Sequence, residues 1–183
     1  MEGVRRLGVL GVESPDPVLS LFGALGLGAS AGTALIVDMA RGLAVSTERT
    51  LADLLEDGPA LHELSPARSG VAVISAGPVD AIAGLDLIER LSANWPAVVV
   101  RCSDDVWPGP RVPVRPLLPG LLAPTEMIPA VWQTVVGGVR APGPGPVLPR
   151  LGPRGARNLL AGRLPARGRW LRVWERVWAM PWA

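Results

Sequence analysis

The sequence predicts an α/β domain: a mostly parallel sheet with helices on both faces, forming a three-layer sandwich. Three observations carry this. Short Val- and Leu-rich segments recur that are apolar throughout, as strands buried on both faces are. Helical signals lie between them, and that alternation is the pattern of a parallel sheet. The chain has 183 residues, of which 49% are apolar and 19% charged, which suits one core of ordinary size and is unlike a disordered chain.

The elements follow in order. Residues 4–12 (VRRLGVLGV) read as a buried strand, and ESPDP after them as a turn. A helix is expected over 18–27, with Asp16 as N-cap and Pro17 at the first helical position. The Gly-Ala-Ser run 26–32 is expected to end it. Residues 33–38 (TALIVD) form a second strand, apolar until its last residue. Residues 50–55 form a short helix, with Thr50 as N-cap and Asp53 three residues on. A third strand spans 70–76. The helix over 78–93 carries Ile82, Leu85, Ile88 and Leu91 at intervals of three. Residues 97–101 (AVVVR) form a fourth strand. Further strands are expected over 112–118, 131–136 and 146–148, a loop over 141–149, and closing helices over 154–160 and 167–180.

Taken in this order, the segments resemble the ParA/MinD-type ATPases, the partition and placement branch of P-loop proteins. The resemblance rests on TALIVDMARG (33–42), a strand ending in Asp that leads into a loop similar to that family's DPRG loop. It rests also on TLADLL (50–55), on VAVISAG (71–77), and on the strand 97–102, which resembles a Walker B strand. VLPRLGPRGARNLLAGRLP (147–165) resembles the family's last strand and the helix after it. The resemblance implies a P-loop NTPase-like, MinD/ParA-like sandwich over 1–165, with 166–183 as a basic, Trp-rich amphipathic helix. The pilus-associated CpaE/TadZ-like relatives are the branch it suggests.

The departures from that family concern chemistry. A phosphate loop needs glycines whose N–H groups wrap the phosphates, a lysine to neutralise them, and Ser or Thr to hold magnesium. The chain contains no lysine at all; its eighteen basic residues are arginines. The corresponding segment, GVESPDPVLS (11–20), has one glycine, and Pro15 and Pro17 remove two N–H donors. Glu13 and Asp16 place negative charge where phosphates belong. At 4 Å and an effective dielectric near 20, each such contact costs roughly 4 kcal/mol. No arginine lies between Arg6 and Arg41 to stand in, and the Walker B-like strand ends in Arg101-Cys102, with Asp104 and Asp105 displaced beyond it. Glu13, Ser14 and Asp38 are thus vestigial candidates. By resemblance Asp38 holds the place of a water-activating or metal-supporting Asp; otherwise it is a strand-end residue, solvated or capping the next turn. No cofactor and no catalysis are expected. The alternative is a nucleotide-binding enzyme rebuilt around Asp38, Glu13 and Asp104.

Other chemistry is sparse. One cysteine, Cys102, excludes an internal disulfide and a cysteine-based zinc site, and one histidine, His62, excludes a multi-His metal site. Cys102 would need a base beside it to act as a nucleophile, so a buried structural cysteine is expected. GALGLG (23–28) hints at a nucleotide loop but lies within and after an apolar helix. No stretch of eighteen apolar residues is present, and MEGVRR lacks the apolar core of a signal peptide, so a cytoplasmic location is expected, or one peripheral to the inner face of the membrane.

Charge is divided along the chain. Residues 1–137 carry nine arginines against fifteen acids, a net −6, and residues 138–183 carry nine against Glu175, a net +8. A basic tail on an acidic body points to an acidic partner or to the body itself. In RWLRVWERVWAM (169–180), Trp170, Leu171, Trp174, Val177 and Trp178 share one helical face, and Arg169, Arg172, Glu175 and Arg176 take the other. Indoles flanked by guanidiniums match an interfacial helix, each Arg adding about 1 kcal/mol near an anionic surface. The same stripe also fits packing on the domain. Trp170, Leu171, Arg172, Trp174, Arg176, Val177 and Trp178 are therefore the residues expected at a membrane or partner contact, or in the core. The partners implied are a protein, such as an active ParA/MinD-type paralogue or a pilus or secretion ATPase, an anionic membrane surface, or a second copy in a homodimer. Nucleic acid is not expected, because arginines spread over two helices form no known readout motif.

Overall fold

The computed structural model describes residues 6–40, 47–66, 69–102, 107–120 and 128–182, excepting the side chains of 61, 62 and 81. Its seven strands are β1 (Gly8–Glu13), β2 (Thr33–Asp38), β3 (Gly70–Ser75), β4 (Ala97–Arg101), β5 (Arg111–Leu117), β6 (Val131–Thr134) and β7 (Val147–Leu148). They form one sheet in the order β3-β2-β4-β1-β5-β6-β7, with every pair parallel. The helices are α1 (Pro17–Ser30), α2 (Leu51–Asp57), α3 (Leu61–Leu64), α4 (Ala81–Ser92), α5 (Pro153–Leu160) and α6 (Arg169–Val177). The expected α/β sandwich is thus present.

Two apolar layers cover the sheet. On one face, Val12, Ile36, Val99, Val112, Val114 and Val131 pack under α1, α5 and α6. On the other, Leu35, Val37, Val98, Val100 and Cys102 pack under α2 and α4. Successive residues of β4 alternate between the two layers, as the period of two requires. Because both faces are covered, a strand such as AVVVR has no apolar-polar alternation to display.

Most boundaries follow local chemistry. Asp16 caps α1, its carboxylate accepting from the N–H groups of Val18 at 2.8 Å and Leu19 at 3.1 Å. Thr50 and Asp53 close a reciprocal capping box on α2. The helix expected from residue 78 begins at Ala81, because Asp80 caps it through the N–H groups of Ile82 and Ala83. Residues 6–7 lie outside β1, although the N–H of Leu7 still donates to the Pro96 carbonyl. Residues 4–5 lie outside the described residues.

Further expectations are corrected: the strand expected over 131–136 stops at Thr134, the helix expected over 167–180 spans Arg169–Val177, and α1 ends later than expected. The glycines after residue 25 do not end α1, which runs through them to Ser30. They serve packing instead: a Cβ on Gly26 would collide with the rings of Trp170 and Trp174, and one on Gly23 would crowd Val12 and Val114. A helix can tolerate the roughly 1 kcal/mol propensity cost of glycine where the missing side chain lets a bulky partner close in.

That partner is α6. Trp174 is fully buried, and its ring meets that of Trp170 edge to face with centroids 5.8 Å apart. The Trp170 indole N–H donates to Gln133 Oε1 at 3.0 Å, and Gln133 Nε2 donates to the Pro149 carbonyl, tying α6 to β6 and to the segment after β7. The Trp178 N–H reaches the Leu27 carbonyl at 3.1 Å. The buried Trp174 N–H, by contrast, has no acceptor among the described residues. Replacing Trp174 by Ala is therefore expected to cost about 3–5 kcal/mol in urea unfolding. Trp174→Phe, which removes the orphaned donor and keeps most of the ring, should cost clearly less. Equal losses for the two would contradict this packing.

Candidate functional site

In open parallel sheets the favoured ligand crevice lies beyond the carboxyl ends of the strands, where neighbouring connections diverge. Here the chain leaves β1 through α1 towards β2 on one side, while adjacent β5 leads to β6 on the other. That divergence lies between β1 and β5; the carboxyl ends of β1, of its other neighbour β4 and of β2 beyond it, which the first turn of α1 covers, complete the candidate site.

Asp38 ends β2 and Arg101 ends β4, and the two are register partners. Strand alternation turns both towards α1. Arg101 is 0% exposed and Asp38 3% exposed. Arg101 Nη1 donates to both carboxylate oxygens of Asp38, at 3.1 and 3.0 Å. Its Nε donates to Ser20 Oγ at 2.9 Å, and its Nη2 to the Pro17 carbonyl at 2.9 Å. Ser20 Oγ in turn donates to the Pro17 carbonyl at 3.1 Å. One guanidinium thus binds the ends of two strands to the first turn of α1. Asp38 Oδ1 also accepts from the Ala40 N–H at 3.3 Å, which caps the turn after β2.

Asp38 is thus a cap, as one sequence reading had it, but it is not solvated: a buried cation sits against it. An arginine does reach this region, although none lies within 7–40. It arrives from β4 and is engaged with the protein's own carboxylate. A pair this dry is weak evidence for net stability, but it is costly to break, because loss of one partner leaves a buried charge uncompensated, at about 3–5 kcal/mol.

The loop above is closed in the same way. The α1 N-terminal donors that would meet an anion are taken by the Asp16 carboxylate. Ser14 Oγ accepts from the Asp16 N–H at 3.2 Å. Glu13 pairs with Arg111 across β1 and β5 at 3.6 Å, both half-exposed. The side chains of Glu13, Ser14 and Asp16 therefore each have an internal partner, and Asp38 is held by Arg101. Asp104, expected beside Asp38 and Glu13 in the rebuilt site, lies outside the described residues, as do Asp105, residues 41–42 of the DPRG-like loop and the His62 side chain.

The C-terminal residues divide between core and surface. Trp170, Leu171, Trp174 and Val177 are buried against α1 and its surroundings, so the face expected at a membrane or partner is already occupied. Trp178 is partly buried, and Arg172 and Arg176 are exposed. The stripe closes inward because Gly26 leaves room for the two indole rings on α1. No helix among the described residues is long and apolar enough to cross a membrane.

Two residues of the site escaped the sequence reading: Ser20, and Arg101 as a partner of Asp38. A signal was present. TALIVD and AVVVR are apolar strands that each end in one charge, of opposite sign, and adjacent placement in a parallel sheet brings those charges together.

Cys102 lies on the opposite face, 1% exposed, with its Sγ 3.6 Å from the Val12 carbonyl. Burial, followed by the nearby Glu13 carboxylate, pushes the thiol from 9.0 up to about 11. This is the environment of an inert cysteine. In the window from pH 9.0 to about 11 the folded chain keeps this proton and the unfolded chain does not, so stability falls as pH rises through it. The chain has neither lysine nor tyrosine, so no other side chain normally titrates there. Urea unfolding at pH 8.5 and 10.5 should show a loss of about 1–3 kcal/mol at the higher pH, largely abolished in Cys102→Ala. An equal loss in the variant would exclude this origin. The chain matches no protein-family model, and a search of curated proteins gives no significant match, so functional reading rests on this geometry.

Proposed function

We propose that this chain is a non-catalytic relative of the ParA/MinD-type ATPases, a pseudo-ATPase with a P-loop-like fold that works by binding. Its role in this reading is that of an adaptor or positioning factor in pilus or secretion, septum or partition machinery. The favoured partner is a protein, such as an active paralogue. The segment order and the all-parallel sheet support the family reading.

The observation that carries the loss of catalysis is the Arg101–Asp38–Ser20 cluster at the carboxyl ends of β2 and β4. A nucleotide enzyme needs a fixed cation aimed at phosphates and a carboxylate or hydroxyl free for magnesium. Here the cation, the carboxylate and the hydroxyl bind one another, and the helix terminus is capped by Asp16. The inward packing of α6 favours protein contacts over insertion of its indoles into lipid.

Isothermal titration of the purified chain with ATP and ADP, with and without magnesium, checks this reading. The expected result is no binding tighter than about 1 mM. Micromolar, magnesium-dependent binding would overturn it.

A further inference from the structure

The two outer faces of the molecule carry opposite charge. Arg154 and Arg157 on α5, Arg163 and Arg167 between the helices, and Arg169, Arg172 and Arg176 on α6 are all exposed. Among the described residues none of them makes an ion pair. On α6, Arg169, Arg172 and Arg176 fall within an arc of about 60° at 100° per residue. They line the outer side of the helix whose inner side holds Trp170 and Trp174. The only acid on this helix is Glu175.

Across the sheet, the exposed groups of α2 and α4 are mostly acidic. Ile82, Asp86 and Glu89 of α4 also fall within an arc of about 60°. Leu55, Glu56 and Asp57 are exposed on neighbouring α2. Asp86, Glu89 and Glu56 make no ion pair among the described residues, whereas Asp57 is 3.5 Å from Arg49. Arg90 stands to one side of this stripe. Apolar side chains lie bare within both faces: Ile82 at 73% and Leu55 at 44% on the acidic one, and Leu160 at 56% on the basic one.

We propose that the chain associates with copies of itself head to tail, the basic outer face of α5 and α6 in one copy seating on the acidic outer face of α2 and α4 in the next. Charge complementarity selects this occupant. Asp86 and Glu89 are spaced three residues apart, as are Arg169 and Arg172, so two helices laid side by side can oppose carboxylates to guanidiniums in register. Ile82 and Leu160 supply the apolar contact that charge alone lacks. The basic face shows no bare indole to stack on bases or enter lipid, because Trp170 and Trp174 are buried. The two surfaces are different and lie on opposite sides of the sheet, so the contact is heterologous and repeats into open chains rather than closing as a two-fold dimer. This inference does not depend on the chain being a pseudo-ATPase.

Sedimentation velocity of the full chain tests it, at about 10 mM salt, where charges act over about 30 Å, and at about 1 M, where they act over about 3 Å. The wild type is expected to form a concentration-dependent series of oligomers at low salt and to return to monomer at high salt. Asp86→Asn with Glu89→Gln removes the charge from one face, and Arg172→Gln with Arg176→Gln removes it from the other, so that the two altered faces cannot pair with each other; each double variant should stay monomeric at low salt. Mixed in equal amounts, the two retain one good face each. They should give a one-to-one dimer and nothing larger, a result that misfolded variants cannot produce. A wild type that remains monomeric at low salt would overturn the proposal, whether or not its basic face then retains duplex DNA or anionic vesicles. So would a mixture that stays monomeric, or a double variant that assembles like the wild type.

Discussion

The ion pair between Arg101 and Asp38 is the constraint on which the upper edge of this molecule depends. Two neighbouring strands end in opposite charges, and the sheet register places those charges side by side beneath a helix, out of water. A dry guanidinium needs its donors satisfied, and here Asp38, Ser20 and the Pro17 carbonyl take them. Two of those three acceptors belong to the first turn of α1, so satisfying the cation also sets where that helix starts. The arrangement occupies the ground on which a sheet of this kind ordinarily handles a ligand, and it leaves the groups there bound to each other.

The position of α1 propagates to the rest of the fold. With its first turn held by Arg101 and its N-terminus closed by Asp16, the helix lies close over Val12 and Val114 at Gly23 and presents Gly26 as a shallow bed for α6. Trp174 fills that bed, Trp170 reaches Gln133 of β6, and Trp178 returns to the last turn of α1. The inner side of α6, with Trp170, Trp174 and Val177, therefore belongs to the main core. Turning the indoles inward has a second consequence: the arginines of α6 are left as its outer surface, and the molecule becomes basic on one side of its sheet and acidic on the other.

Much of the fold was legible in the sequence because its strands are buried on both faces. Continuous apolar runs such as TALIVD and AVVVR mark such strands, and the caps at Asp16 and Thr50 mark their helices. The end of α1 was not legible, because glycine signals a break in local terms, and only the tertiary contact with two tryptophans turns Gly26 into a packing residue. The direction of the Trp stripe was likewise open: an amphipathic helix has the same pattern whether its apolar side meets lipid or a neighbouring helix. At the site, the absence of lysine and the acids of 11–20 were plain, but the pairing of Arg101 with Asp38 spans sixty-three positions and needs the strand order. That order is a property of the sheet, not of any one segment.

A double-mutant cycle on the buried pair addresses the central claim most directly. Urea unfolding of Asp38→Val, Arg101→Met and the double variant measures how far the two groups depend on each other. The account predicts that each single change costs about 3–5 kcal/mol, because it strands a charge in the core, and that the double change costs far less than the sum, with a coupling of about 2 kcal/mol or more. Small losses that simply add would mean that the two groups are independently solvated, and the clamp between β2, β4 and α1 would not exist.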